Sequence, residues 1–369
     1  MPEVPFLDLK AHVASLRDEL DAAVGRVVDS GWFILGPEVE ALEQELAAAF
    51  EAREAVAVAN GTEALQLSLT ALGVGPGDEV VTTSLSAAFT GLAILSAGAR
   101  PVFVDVDPET LNLDPAAVAR AVTPRTRAIL PVHLHGRPAD MDPILACARE
   151  HEIAVVEDAC QAHGARYKGR TAGTLGSCGA LSFYPTKNLG ALGDGGAILL
   201  GDGHLAGRLR RLRNGGQSDR YRHEEPGINS RLDELQAAIL RVGLAHLAAW
   251  TARRRELAAF YRRELEGSGV LLPVERDLVE PVHHLFVVRH PRRDALMGAL
   301  RERGIGTLIH YPIPLHLQPA FASEGSAHGR LPVVEKAAGE ILSLPLYPEL
   351  TDDQAQAVVT AVRDAVQHL

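Results

Sequence analysis

Three short stretches hold the residues best placed to do chemistry. In Asn60-Gly61-Thr62-Glu63-Ala64, Gly61 and Thr62 fall where a β-rich run ends and a helical one begins. Backbone N–H groups are free at such a junction, the helix dipole turns its positive end outward, and a hydroxyl is at hand, which together make an anion site. Thr62 alone reads equally as a helix cap. In VVEDACQAHGA, Glu157, Asp158 and Gln161 stand at the carboxyl end of an apolar run, the edge of an open α/β sheet where ligands gather. A carboxylate beneath an aromatic nitrogen keeps that nitrogen protonated, because pairing favours both charged forms. On local grounds the two acids serve as well to cap the following segment. The third stretch, LSFYPTKNLGALGDGG, sets Lys187 after a buried strand, with Ser182 five residues before it and a glycine loop behind. An amine among apolar and cationic neighbours loses enough basicity to act as a nucleophile and Schiff-base former.

Lysine is scarce here. Lys+Arg is 36, yet only Lys10, Lys168, Lys187 and Lys336 are lysines. Lys10 lies in the N-terminal segment, Lys168 in a YKGR turn and Lys336 on a surface-like helical run, so Lys187 is the Schiff-base candidate. A phosphate cradle that includes the Ser182 hydroxyl, a strand-end carboxylate and such a lysine are what pyridoxal phosphate needs.

The elements that must position these residues follow a rhythm. Short β-rich runs at 55–59, 79–83, 101–106, 127–132 and 153–158 alternate with helical runs at about 62–72, 87–97, 115–122 and 140–151. Strands without in/out alternation, separated by helices, indicate a parallel sheet covered on both faces. No helix fits between 180–184 and 195–200, so an antiparallel neighbour is expected there. Helices are expected at 12–30, about 38–50, 231–265, 292–303 and 351–367, with a strand near 284–290. The expected organisation is an N-terminal segment (1–30) packing with the small domain, a large α/β cofactor domain (31–245) and a smaller α+β domain (246–369). No GxGxxG follows the first strand and no GxxxxGK[ST] occurs, which argues against the usual dinucleotide and P-loop sites.

Composition removes other classes. With 369 residues, 47% hydrophobic and 22% charged, the chain can bury a large core and is neither disordered nor a miniprotein. A net charge of -11 gives nucleic acid no general encouragement. The opening MPEVPFLDLK lacks the basic head of a signal peptide, and no apolar run approaches the ~20 residues of a membrane span. Cys147, Cys160 and Cys178 form neither a CxxC pair nor a disulfide framework, and read as buried small hydrophobes in a cytoplasmic protein.

The chain resembles the DegT/DnrJ/EryC1/StrS family of sugar aminotransferases, which are fold-type-I pyridoxal phosphate enzymes. The likeness runs from FLDLK and SGWFILGPEVEALE through VANGTEAL, GARPVFVDVDPET, VVEDACQAHGA, SFYPTKNLGALGDGG and GINSRLDELQAAIL to GIGTLIHYPIPLH and SLPLYPEL. The fold it implies is α/β, a mostly parallel mixed sheet flanked by helices with a smaller α+β C-terminal domain. The resemblance implies that Lys187 forms the bond to the cofactor and moves the substrate proton, that Asp158 partners the pyridine nitrogen, and that Gln161 meets the ring hydroxyl side. Gly61, Thr62 and Ser182 become phosphate ligands, and Asn229 resembles a residue reaching the phosphate from a neighbouring subunit, so a homodimer with shared sites is expected. The implied donor is glutamate or glutamine and the implied acceptor a nucleotide-linked keto sugar, with the members that aminate C3 the nearer likeness.

The chain departs from the family at the residue covering the cofactor ring, where Ala87 stands in place of the usual aromatic and Phe89, two positions on, is the candidate to supply the stack. Retention of Lys187 favours transamination over the dehydration of family members with histidine there. His163, Arg213, His310 and Tyr311 are substrate-side candidates. His133 and His135 share a strand-end face, but no nearby carboxylate–histidine grouping completes a metal site, and no metal is expected. The alternative readings are a keto-cyclitol aminotransferase and a non-catalytic regulatory protein of the same fold.

Overall fold

The computed structural model describes residues 3–324 and 330–369. Its N-terminal helices are α1 (Leu9–Ser15), α2 (Arg17–Ser30) and α3 (Pro37–Ala49). The single helix expected over 12–30 is thus broken. Leu16 leaves helical geometry (φ -114°, ψ 8°) and the chain restarts, which lets Leu16 and Leu20 both pack on Ile239.

The alternation that follows is β1 (Glu54–Val58), α4 (Gly61–Ala71), β2 (Glu79–Thr83), α5 (Ala88–Ser96), β3 (Arg100–Val104), α6 (Pro115–Ala121), β4 (Thr126–Leu130), α7 (Met141–Glu150) and β5 (Ala154–Asp158). Then come β6 (Cys178–Ser182), β7 (Gly196–Leu200), α8 (Gly203–Leu212) and the long α9 (Glu234–Leu265). The last part holds β8 (Phe286–Arg289), α10 (Arg293–Glu302), α11 (Pro332–Glu340), β9 (Ile341–Leu344) and α12 (Asp352–Gln367).

The main sheet has seven strands in the order β1-β7-β6-β5-β4-β2-β3. Only β7 runs against the rest, pairing antiparallel with β6 and β1, which is the reversal expected between 180–184 and 195–200. Both faces are covered: every residue of β2 and β7 is buried. Apolar side chains on both faces cost nothing in such a sheet, and each strand reads as a continuous hydrophobic run for that reason.

This topology brings the chemistry-bearing stretches together. β1, β5 and β6 share a direction, so Val58, Asp158 and Ser182 end at one edge. In register, Val58 stands opposite Gly196 and Gly196 opposite Ser182. The chain after β1 crosses β7 at that glycine, where a Cβ would sit 2.4 Å from the Asn60 carbonyl carbon. Glycine is required for this crossing, and the crossing delivers the start of α4 to β6.

β8 and β9 form a second, two-stranded antiparallel sheet. It packs with α10, α12 and the second half of α9 around Tyr261, Phe286, Leu300 and Val358. Val4, pairing with Ile305, brings the N-terminal segment to the same cluster. The first half of α9 carries α2 through Ala23, Val27 and Ala238. Several large apolar side chains remain on the surface, among them Trp32, Phe33, Ile34, Tyr184 and Leu192.

Candidate active site

The site is built at the carboxyl edge of β1, β5 and β6. Asn60 caps α4, its side chain accepting the Glu63 N–H at 2.9 Å and its carbonyl the Ala64 N–H at 3.0 Å. Gly61 and Thr62 supply the first N–H groups of that helix, which have no acceptor within it. Gly61 lies hard against β6: a Cβ there would sit 2.7 Å from Ser182 Cβ and 2.9 Å from Cys160 Sγ. Among the described residues the Ser182 hydroxyl accepts only a long bond from the Tyr184 N–H, 3.4 Å, so its proton is uncommitted. Free N–H groups, a helix N-terminus and a hydroxyl donor therefore converge, as an anion requires.

Asp158 is buried at the end of β5 and accepts two hydrogen bonds, from the Thr90 hydroxyl (2.8 Å) and the Cys160 N–H (3.2 Å). Thr90 has one proton and gives it to Asp158, so Ser86, 2.8 Å away, must donate to Thr90. Four lone-pair positions with two donors leave the carboxylate capacity for a further N–H. Gln161 is fixed at both ends. Its Oε1 accepts the His135 N–H at 2.7 Å and its Nε2 donates to Tyr311 Oη at 3.0 Å, keeping one amide proton in reserve. Tyr311 is thereby brought to the site, its phenol pushed up to about 12 by burial first and by Asp158.

Lys187 lies on the loop after β6, its N–H donating to the Tyr184 carbonyl at 2.8 Å. Burial pulls its amine below the ordinary lysine value, with Cys160 and Asp158 drawing it partly back. The Cys160 thiol is itself driven well above its usual range by burial, so it is neutral and Asp158 is the charge that matters. His163 sits beneath the same region with Nε2 2.9 Å from the Ser182 carbonyl. That carbonyl only accepts, so the ring proton is on Nε2 and Nδ1 is a buried lone pair without a partner among the described residues. Burial, then the charge of Lys187, lowers His163 to about 3.

The remaining candidates differ in what holds them. His310 uses Nδ1 on Ser343 Oγ (2.8 Å) and its carbonyl on His135 Nε2 (3.1 Å), and burial takes its ring to about 4. Arg213 is buried with its guanidinium tied to Glu43 and to the Ala57 carbonyl at 2.6 Å. It anchors β1 from below and has little left to offer a substrate. Asn229 bridges to Asn214, and its neighbour Ser230 accepts the Ala59 N–H at 3.2 Å. Phe89 is 61% exposed at the start of α5. His133 donates from Nε2 to Glu157 (2.9 Å), since its Nδ1 accepts the Ala139 N–H. Thr90 went unassigned in the sequence reading. The signal for it was a hydroxyl in the first turn of the helix that follows β2, in Ser86-Ala87-Ala88-Phe89-Thr90.

A sheet of this order, reversed at one strand and carrying a lysine of lowered basicity beside a strand-end carboxylate, is that of the pyridoxal phosphate-dependent aminotransferases, and comparison places the chain among them. Residues 14–363 match the model of the DegT/DnrJ/EryC1/StrS aminotransferase family, and the chain belongs to that family. It is 54% identical over 98% of its length, and 96% of the relative's, to the dTDP-3-amino-3,4,6-trideoxy-alpha-D-glucose transaminase of Streptomyces venezuelae. Its backbone superposes on the crystal structure of S. venezuelae DesV in complex with a ketimine intermediate with a TM-score of 0.97, at 53% identity and full coverage of both chains. NtdA from Bacillus subtilis, solved with bound cofactor PMP, gives a TM-score of 0.93 at 32% identity, covering 100% of this chain and 86% of that one.

The cofactor of this family is pyridoxal phosphate, and the residues present fit it. The start of α4 offers N–H donors where a Cβ at 61 would close the space against Ser182. Asp158 keeps unused acceptor capacity, and Lys187 is a half-buried amine of lowered basicity.

Proposed function

We propose that this aminotransferase moves an amino group from glutamate, or glutamine, to the keto group of a nucleotide-linked sugar, a dTDP- or UDP-linked 3-keto hexose. The observation that carries the site assignment is the convergence of Lys187, Asp158, Gly61 and Ser182 at one sheet edge. The substrate class rests on the 54% identical Streptomyces venezuelae transaminase, named for a dTDP-linked 3-amino sugar.

Pyridoxal phosphate, when bound, supplies a carbonyl that takes up and hands on the amino group and a ring that accepts the electron pair. The protein's part divides by residue. Gly61 and Thr62 N–H groups and the Ser182 hydroxyl hold the phosphate. Asp158, steadied by Thr90, keeps a proton on the ring nitrogen. Gln161, oriented by His135 and Tyr311, offers its spare amide proton to the ring hydroxyl side. Lys187 Nζ would carry the cofactor and, in each half-reaction, move the proton between the substrate carbon and the cofactor's C4′; its lowered basicity keeps the unprotonated form available nearer neutral pH. Phe89 covers the ring in the place that Ala87 leaves open. His310 and Tyr311 stand on the substrate side, while His163 supports the Ser182 carbonyl from beneath.

The assembly we propose is a homodimer in the cytoplasm, with Asn229 of each subunit reaching the other's phosphate. The exposed Trp32, Phe33, Ile34 and Leu192 support a covered surface of this kind. The organisation is a 1–30 segment, a cofactor domain over 31–245 and a small domain over 246–369. No described helix is long and apolar enough to cross a membrane.

The purified protein should be yellow with cofactor, lose its visible band on adding glutamate, and regain it with a nucleotide-linked 3-keto sugar. Recovery with a keto-cyclitol instead would replace the acceptor. A protein that never takes up the cofactor would overturn the enzyme reading, and Lys187→Ala should abolish covalent attachment.

A further inference from the structure

Asn188, next to Lys187, is 4% exposed and has no role in the site described above. Its Nδ2 donates to the Val282 carbonyl at 3.0 Å, which orients the amide and turns Oδ1 toward His284 Nδ1, 3.2 Å away. An amide oxygen only accepts, so His284 carries its proton on Nδ1. The segment containing these partners leads directly into β8. Its other flank is tied to the opposite side of the site. Val282 N–H donates to the Gly136 carbonyl (2.9 Å) and Leu285 N–H to that of His135 (3.3 Å). Gly136 (φ +87°) admits this approach only as glycine, since a Cβ would lie 2.7 Å from His284 N and 2.9 Å from the Gln161 carbonyl oxygen.

The same segment is gripped from the C-terminal side. Arg254 of α9 is buried and spends Nη1 on the carbonyls of Leu346 (2.8 Å), His283 (3.3 Å) and His284 (3.4 Å). Burial lowers its pKa to about 10, with Glu349 opposing only weakly. A hydrogen-bonded path therefore runs from α9 through 282–285 to Asn188, one residue from the reactive amine.

We propose that His284 and Asn188 are positioning residues, a polar strut through which the C-terminal part of the chain sets where Lys187 Nζ stands and keeps water from it. This rests on the reading of Lys187 as the amine that carries the cofactor. Burial first, then the Lys187 charge, pushes the basicity of His284 well below the ordinary histidine value. The ring is thus a neutral neighbour, close enough to the lysine to feel its charge. A purely packing role would be filled as well by apolar side chains, whereas a buried amide and imidazole cost free energy unless each meets the other.

The test is competitive acetylation of Lys187 across pH in the full-length protein freed of cofactor, with Asn188→Ala, His284→Ala, the double variant and His284→Asn. His284→Asn restores an N–H near the Nδ1 position. Either alanine admits water, raises the lysine's basicity, and should lower its labelling at fixed pH by about tenfold. The double variant should do no more than either single one, and His284→Asn should recover most of the reactivity. Unchanged labelling in the alanine variants, even with a lowered melting temperature, overturns the strut. So does a double effect equal to the sum of the singles, or an asparagine that rescues nothing. Should His284→Ala fail to fold, Asn188→Ala set against His284→Asn decides by the same criteria. Failure of the underlying reading looks different: covalent attachment would survive in Lys187→Ala. Failure of the strut leaves attachment dependent on Lys187 and its titration unmoved.

Discussion

Glu157 and Asp158 are consecutive on β5, point to opposite faces of one sheet, and are both buried. Glu157 is fully occupied. It accepts the N–H groups of Gly173 (2.8 Å), Leu175 (2.7 Å) and Gly176 (2.7 Å) and the proton of His133 Nε2 (2.9 Å). Those bonds fasten the irregular 173–176 loop and the chain after β4 to the back of the sheet. Asp158 accepts two bonds, both from residues that themselves frame the site, and retains capacity. Equal burial and equal chemistry thus end in different employment. A carboxylate with every lone pair matched is architecture; one left partly unmatched at a strand end awaits a ligand.

Exchanging the losses at these two positions is the sharpest way to break the comparison. Asp158→Asn keeps shape and one acceptor but removes the charge, and should slow the glutamate half-reaction by on the order of 10²–10³-fold while the melting temperature moves little. Glu157→Ala should do the opposite. It strands a histidine and three N–H groups, costs about 3–5 kcal/mol of stability, and leaves the rate per folded molecule near that of the parent. Chemical denaturation of both proteins, with single-turnover rates, checks the pair together. If Glu157→Ala lost rate and kept stability, the division of labour proposed for β5 would be wrong.

Thr90 refines the same contrast from the partner's side. Thr90→Val keeps the volume but withdraws the one hydroxyl that Asp158 receives among the described residues. A bond to a charged group is worth about 1.5–3 kcal/mol, so cofactor affinity should fall by roughly ten- to a hundredfold. A cofactor titration followed by absorbance measures it, and an unchanged affinity would make Thr90 a packing residue.

Asp158 and Lys187 stand out in the sequence because each is marked locally, one by an apolar strand ending in acids, the other by the scarcity of lysine. The sheet was legible for the same kind of reason, the rhythm of β-rich and helical runs. What escaped depended on pairs distant along the chain. Thr90 meets Asp158 across 68 residues, Asn188 meets His284 across 96, and Arg213 meets Glu43 across 170. Arg213 resembled a substrate ligand because an arginine near a glycine pair carries no local sign of the carboxylate that claims it. Helix α8 was passed over although Asp202 caps it, accepting the His204 N–H at 2.8 Å. The break at Leu16 was equally silent, since the apolar spacing of 12–30 is the same for one helix or two.

Asp158 should also be felt by Lys187 without any cofactor present. Burial lowers the basicity of the amine, and among the charges around it Asp158 acts upward. Neutralising that carboxylate removes an attraction on the protonated form, so the lysine in Asp158→Asn becomes less basic still. At a fixed pH below its pKa, more amine is unprotonated and acetylation of Lys187 should speed up by about three- to tenfold. Glu157→Gln, on the far face of the sheet with its charge spent on His133 and backbone N–H groups, should leave the lysine's labelling where it was. A slower reaction in Asp158→Asn would mean that the substitution lets water reach the amine, and that exclusion of solvent outweighs the carboxylate's charge in setting the reactivity of Lys187.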